Sequence, residues 1–202
     1  MDEWRIALLG KSGTGKSSLI NTILGESVFE VTYSADSGTT ECKTKEGVVD
    51  DKKIKLTDTP GFKSTKLSEN ELKPEVKKCT KECAPGPHAF LILLKAAVFT
   101  KHDKEVISKI EEYFSEEVFK YAVVVFTHGD DLPDDNKNIE NFDFEKFAGK
   151  SEELELLLKK CDNRRCLVDN QNWNEDQVKV LLNTIDRMIE ANGRGCYTEM
   201  MS

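Results

Sequence analysis

Gly10-Lys11-Ser12-Gly13-Thr14-Gly15-Lys16-Ser17 is the stretch on which the fold turns. Before it lies Trp4-Arg5-Ile6-Ala7-Leu8-Leu9, an apolar run of strand length. After it, Ser18-Leu19-Ile20-Asn21-Thr22-Ile23-Leu24 reads as a helix stopped by Gly25. A G-x-x-x-x-G-K-[ST] pattern between strand and helix is a phosphate-binding loop. The glycines Gly10, Gly13 and Gly15 let the backbone curl until successive amides face an anion, and the helix N-terminus adds its partial positive charge. Lys16 is placed to reach the outer phosphates, and the Ser17 hydroxyl is a hard oxygen ligand suited to Mg²⁺. Lys11, Ser12, Thr14 and Ser18 complete the expected cradle.

The chain of 202 residues suits one α/β domain over residues 1–202 and is short for two. Its net charge of −8 argues against a nucleic-acid partner, which asks for a basic face. The chain opens directly into its first strand without a signal-like segment, and no apolar run approaches the ~20 residues of a membrane span. A cytoplasmic protein is expected, with any membrane association peripheral, through partners or a C-terminal extension. The cysteines, Cys42, Cys79, Cys83, Cys161, Cys166 and Cys196, form no C-x-x-C pair, and histidine is scarce, so reduced thiols are expected rather than a zinc site.

Strand-like and helix-like segments alternate, the pattern of a mostly parallel sheet covered on both faces. Gly47–Val49 and Lys53–Thr57 read as a hairpin about Asp50-Asp51, Ser68–Glu82 as a helix, and Ala89–Leu94 as a central strand. Further along, Asp103–Phe114 reads as a helix, Ala122–Phe126 as a buried strand, and Ser151 as the cap of a helix to Lys160. Cys166–Val168 is the expected last strand and Asn174–Ala191 the last helix, with an acidic, irregular excursion over Asp130–Lys150.

Two further motifs narrow the chemistry. Leu56-Thr57-Asp58-Thr59-Pro60-Gly61 puts an aspartate at a strand end, where it would hold a Mg²⁺ shell, and a glycine whose amide would sense a γ-phosphate. Thr127-His128-Gly129-Asp130, at the end of the strand Val123–Phe126, fits a guanine-reading motif with histidine in the lysine position. A carboxylate at Asp130 accepts from N1–H and the exocyclic amine of guanine, a donor pair that adenine lacks. His128 is suited to lie flat against the base.

On these residues the chain resembles the AIG-type GTPases of immunity-associated proteins (GIMAPs), in the septin-like and chloroplast-import-receptor branch. The resemblance runs from Arg5 to Thr198 and is most specific at Ala84-Pro85-Gly86-Pro87-His88-Ala89-Phe90-Leu91-Ile92-Leu93. Phe99-Thr100, the stretch Phe126–Leu132, Asn192-Gly193 and Cys196-Tyr197 also match. It implies the three-layer phosphate-loop GTPase fold, a mostly parallel sheet with one antiparallel edge strand. It also implies GTP and GDP as ligands with Mg²⁺, and a GTP-dependent homodimer or oligomer across the nucleotide face. Thr39 corresponds to the switch threonine of the Mg²⁺ shell, joining Ser17 and Asp58, and Asn170 to a base-side residue.

Two departures bear on turnover. Phe62 stands where a catalytic glutamine would follow Gly61, and Val98 replaces an arginine that many family members carry. No arginine occurs between Arg5 and Arg164, and an arginine finger is typically worth ~10³–10⁵ in rate. Slow intrinsic hydrolysis is expected, with His88 or Thr59 the remaining candidates to position a water. The competing readings are an efficient GTPase that takes catalytic groups from a partner, and a different phosphate-loop enzyme such as a nucleoside kinase.

Overall fold

Alternate side chains of the first strand, β1 (Glu3–Leu9), feed two different cores. Ala7 and Leu9 join one cluster, while Trp4, Ile6 and Leu8 join the other. A strand apolar on both faces belongs in the middle of a covered sheet, and there β1 sits. The computed structural model describes residues 3–10, 14–25, 29–34, 41–62, 68–96, 99–127, 144–169 and 175–198.

Along the chain β1 is followed by α1 (Lys16–Leu24), β2 (Phe29–Ser34), β3 (Glu41–Val49), β4 (Lys52–Asp58) and α2 (Glu69–Lys81). Then come β5 (Ala89–Lys95), α3 (Lys101–Phe114), a 3₁₀ helix (Glu116–Tyr121) and β6 (Ala122–Thr127). The described chain continues with α4 (Phe144–Ala148), α5 (Glu152–Lys160), β7 (Arg165–Leu167) and α6 (Glu175–Ala191). The strands form one sheet in the order β2-β3-β4-β1-β5-β6-β7. Pairing is parallel from β4 through β7 and antiparallel at β3–β4 and β2–β3. The antiparallel edge expected from the hairpin is therefore present, and β2 widens it by one strand.

Helices cover both faces. Leu19, Ile20 and Ile23 of α1 and Leu181, Ile185 and Met188 of α6 pack on the face of Ile6 and Leu8. Leu72 and Val76 of α2, Ile110 and Phe114 of α3, and Leu157 of α5 pack on the other. Local signals set the helix ends. Gly25, at φ 58°, closes α1 by donating to the Asn21 carbonyl at 2.8 Å. Thr100 and Asp103 cap α3 reciprocally, the Thr100 amide donating to Asp103 Oδ2 at 2.8 Å. Ser151 Oγ accepts from the Leu154 amide at 3.3 Å and opens α5.

The end of the sheet where the parallel strands begin is locked by long-range contacts. Arg5 Nε donates to the Cys83 and Gly86 carbonyls, and the Arg5 amide donates to His88 Nδ1 at 3.0 Å. The Tyr197 amide donates to the Pro87 carbonyl at 2.8 Å. The Tyr197 ring meets Phe90 edge-on at 5.4 Å, and its hydroxyl donates to the Phe114 carbonyl. The Pro-Gly-Pro-His box is thus the seat of the C-terminal segment.

Two expectations need adjusting here. Part of the segment expected to be an irregular excursion is helical, over Phe144–Ala148, because Phe147 sets its ring edge-on to Phe126 at 5.3 Å; residues 128–143 lie outside the described residues. Cys79 is disulfide-bonded rather than a free thiol, and fully buried. Cys83, Cys161, Cys166 and Cys196 are free. No described helix is long and apolar enough to cross a membrane.

Candidate functional site

The C-terminal ends of parallel strands are where open α/β sheets bind ligands, and the predicted phosphate loop lies there. Gly10 follows β1 directly, and its packing explains the residue. A Cβ at this position would stand 2.9 Å from the Leu93 carbonyl oxygen and 3.1 Å from Thr14 Oγ1. Gly15 supplies the other special backbone, with φ 88° and ψ 26°, and turns the chain into α1. The first helical bond runs from the Leu19 amide to the Gly15 carbonyl at 2.9 Å. The amides of Lys16, Ser17 and Ser18 precede it, which leaves them as helix N-terminal donors. Ser18 carries an exposed side chain there.

Lys16 is 7% exposed and donates from Nζ to the Gly10 carbonyl at 3.2 Å. Burial pushes its ammonium below the usual lysine range, and the negative charge of Asp58 pulls it partly back. Asp58 ends β4, beside β1, as the motif reading required. A carboxylate coupled to this lysine is the hard-oxygen donor that Mg²⁺ takes, and the helix N-terminus that Gly15 turns into α1 suits phosphate. The described residues therefore fit both groups.

Three bonds tie the loop and the end of β1 to their surroundings. Thr127, fully buried at the end of β6, donates from Oγ1 to the Thr14 carbonyl at 2.6 Å. Its hydroxyl thus joins the base-side motif to the phosphate loop, a link the sequence reading did not anticipate. Thr59 Oγ1 donates to the Leu8 carbonyl at 2.6 Å, and the Phe62 amide donates to the Gly10 carbonyl at 2.9 Å. Gly61 lies between these two attachments, half-buried.

His88 corrects an expectation. It pairs with Arg5 near the start of β1, whereas Lys16 lies beyond that strand's other end. The four residue steps from Arg5 to Leu9 alone span ~13 Å, so His88 is placed to hold the fold and not to position a water. Burial lowers its pKa to about 4, with the Arg5 charge adding to the effect and Glu3 opposing it. Thr59 has its hydroxyl proton committed to the Leu8 carbonyl, so toward a water its oxygen acts only as an acceptor. Phe62 is fully buried, its ring stacked on Tyr113 with centroids 5.7 Å apart. Lys11, Ser12, Gly13, Thr39, Val98, His128, Asp130, Asn170 and the Ser17 side chain lie outside the described residues.

Comparison with known proteins follows the same lines. The AIG1 family pattern matches residues 4–202. Mouse GTPase IMAP family member 8 is 35% identical over 175 residues, covering 85% of this chain and 25% of that protein. Immune-associated nucleotide-binding protein 1 of Arabidopsis thaliana is 31% identical over 202 residues, covering 97% and 88%. The chain thus spans about a quarter of the first relative and most of the second. Among solved structures, Arabidopsis thaliana Toc33 in complex with GDP and Mg²⁺ is similar with a TM-score of 0.61 at 18% identity, covering 93% of this chain and 86% of that one. A structure of chloroplast translocon components Toc33 and Toc159, for which dimerization is described as important for GTPase activity, matches with a TM-score of 0.60 at 18% identity, covering 93% and 83%. At these identities the structural likeness is one of fold.

Proposed function

Because the chain belongs to the AIG1 family, we propose that it is a guanine-nucleotide-binding switch that takes GTP and GDP with Mg²⁺. The observation that carries the reading is the buried Lys16 ammonium, held in a glycine-packed loop against the charge of Asp58. Burying an ammonium is costly unless a strong anion meets it. Phosphate oxygens are that anion, with the amides of Gly15 to Ser18 as neutral donors around them. Asp58 would hold Mg²⁺ together with Ser17 and Thr39. The ion would supply charge neutralisation between the phosphates.

Guanine is assigned through Asp130, with Thr127 fixing the start of its loop, and His128 and Asn170 flanking the base. Titration calorimetry with GDP, a non-hydrolysable GTP analogue and ATP tests this reading. Binding of both guanine nucleotides without ATP supports it, and equal binding of ATP overturns the base assignment. Asp130→Asn is expected to move preference from GTP toward XTP, because the amide donates where xanthine offers a carbonyl.

Hydrolysis by the isolated chain is proposed to be slow, since the residue after Gly61 is a buried phenylalanine and Val98 carries no charge. Self-association across the nucleotide face is proposed as well, supported by the family and by the importance of dimerization for GTPase activity in the Toc33 and Toc159 proteins. Single-turnover hydrolysis measured across protein concentrations, with and without Val98→Arg, separates the alternatives. A slow, concentration-independent rate that quickens in Val98→Arg at high concentration fits a dimer lacking its finger. A rate in the unsubstituted chain that rises with its own concentration points instead to a partner that supplies catalytic groups.

A further inference from the structure

Gly61 is the one residue of the Asp58–Phe62 segment whose amide is assigned to the γ-phosphate, and the residues beside it are fastened in an unequal way. On its N-terminal side Thr59, 3% exposed, donates its hydroxyl to the Leu8 carbonyl at 2.6 Å. On its C-terminal side the Phe62 amide donates to the Gly10 carbonyl at 2.9 Å. Both acceptors belong to the end of β1 and the first residue of the phosphate loop. The Phe62 ring then enters the core formed by α2 and α3, among Leu72, Val76, Ile110 and Tyr113. It stacks on Tyr113 at an interplanar angle of 24°. A fully buried aromatic of this kind cannot swing out without exposing its apolar surface to water.

We propose that Thr59 and Phe62 are positioning residues that hold Gly61 where a γ-phosphate is read before any nucleotide arrives. The phenylalanine in the place of a catalytic glutamine then has a use of its own. It gives up water orientation and supplies an anchor. Preference for GTP over GDP is built into a preformed site, whose ordering cost is met during folding rather than during binding. This inference rests on the guanine-nucleotide reading and deepens it.

The test is calorimetry of GDP and a non-hydrolysable GTP analogue with Phe62→Leu and Thr59→Val, with folding checked by thermal melts. The affinity ratio of analogue to GDP is expected to fall roughly tenfold in both, the size of one lost charge-assisted hydrogen bond. Tyr113→Phe keeps the ring stack and is expected to keep the ratio, whereas Tyr113→Leu lowers it. A packing role alone would weaken both nucleotides equally, and that result overturns the proposal. Should the variants fail to fold, hydrogen exchange of the unsubstituted chain decides. The Phe62 amide is expected to exchange slowly with either nucleotide, and slow exchange with the analogue alone overturns the proposal. If the unsubstituted chain binds neither nucleotide, the guanine reading falls and this inference with it.

Discussion

The Lys16 ammonium and the Phe62 amide share one acceptor, the Gly10 carbonyl, at 3.2 and 2.9 Å. A carbonyl has two lone pairs, so the two bonds coexist. Phosphate would draw the ammonium away, while Phe62 keeps the loop on the sheet. Lys16→Ala should therefore leave the fold intact, since the Phe62 bond remains and a buried charge is removed. Nucleotide affinity should fall about 100-fold or more, because losing one member of a buried charge pair costs on the order of 3 kcal/mol. Melting curves with and without GDP check both halves: the midpoint without nucleotide stays, and the shift on adding GDP disappears.

Thr127 supplies a second test, of the link between base loop and phosphate loop. In Thr127→Val the shape is kept and the Thr14 carbonyl loses its 2.6 Å partner. The expected loss is about 1–3 kcal/mol by urea unfolding, the cost of a buried acceptor left unmet. Thr127→Ser retains the donor and should lose little of that. A loss in Thr127→Ser alone, with Thr127→Val unchanged, would assign the effect to the methyl group instead.

Acid should loosen the opposite end of the molecule. Burial first, and the Arg5 charge second, lower the His88 pKa from 6.5 to about 4, and the neutral ring so favoured lets Nδ1 accept the Arg5 amide. Between these values the unfolded chain binds more protons than the folded one. The contribution is complete above pH 6.5, shrinks as pH falls, and is gone below about 4. Allowing for solvent screening of a half-buried ring, the change is about 1–2 kcal/mol. Urea unfolding at about pH 7 and about pH 4.5 measures it, and His88→Asn, whose Oδ1 still accepts, should flatten that part of the slope.

Gly86 faces a harder constraint than a turn. A Cβ there would stand 1.7 Å from the Tyr197 carbonyl oxygen and 2.8 Å from its carbon. Gly86→Ala should therefore unseat Tyr197 from among Phe90, Phe114 and Tyr121. The expected cost is about 3–5 kcal/mol, the range for emptying an aromatic core site. Tyr197→Ala should cost a similar amount. The double variant should cost much less than their sum, since both act on one contact, and denaturant unfolding of all three closes the cycle.

What could be read from the sequence was whatever repeats or whatever carries a motif. Unbroken apolar runs yielded β1, β5 and β6, because strands buried on both faces need them, and β4 was legible as the alternating arm of a hairpin about Asp50-Asp51. The glycine loop and Asp58 were legible because phosphate and cation chemistry leave few residue types to choose from. β2 was not anticipated: Phe29-Glu30-Val31-Thr32-Tyr33-Ser34 mixes apolar and polar residues and, among the described strands, pairs only with β3. The work of Arg5 and Tyr197 was equally hidden. Their partners lie 78 to 83 residues away, and no local pattern announces a contact of that kind. Thr127 was recognised by its motif, yet its bond to Thr14 spans 113 residues and appears only once the sheet is assembled.

The seat of Tyr197 sets an order for the making of this protein. The ring completes an aromatic group with Phe90, Phe114 and Tyr121 and arrives from the last described segment of the chain. A ribosome-bound nascent chain with the phosphate loop, the central strands and α3 already synthesised would still hold an open aromatic hole. Contacts of such sequence separation form late, and apolar surface left uncovered in the interval invites association with other chains. The domain seals only when residue 197 has emerged. Synthesis arrested just before that point should produce a chain that engages chaperones, although nearly all of its nucleotide-facing sequence has been made.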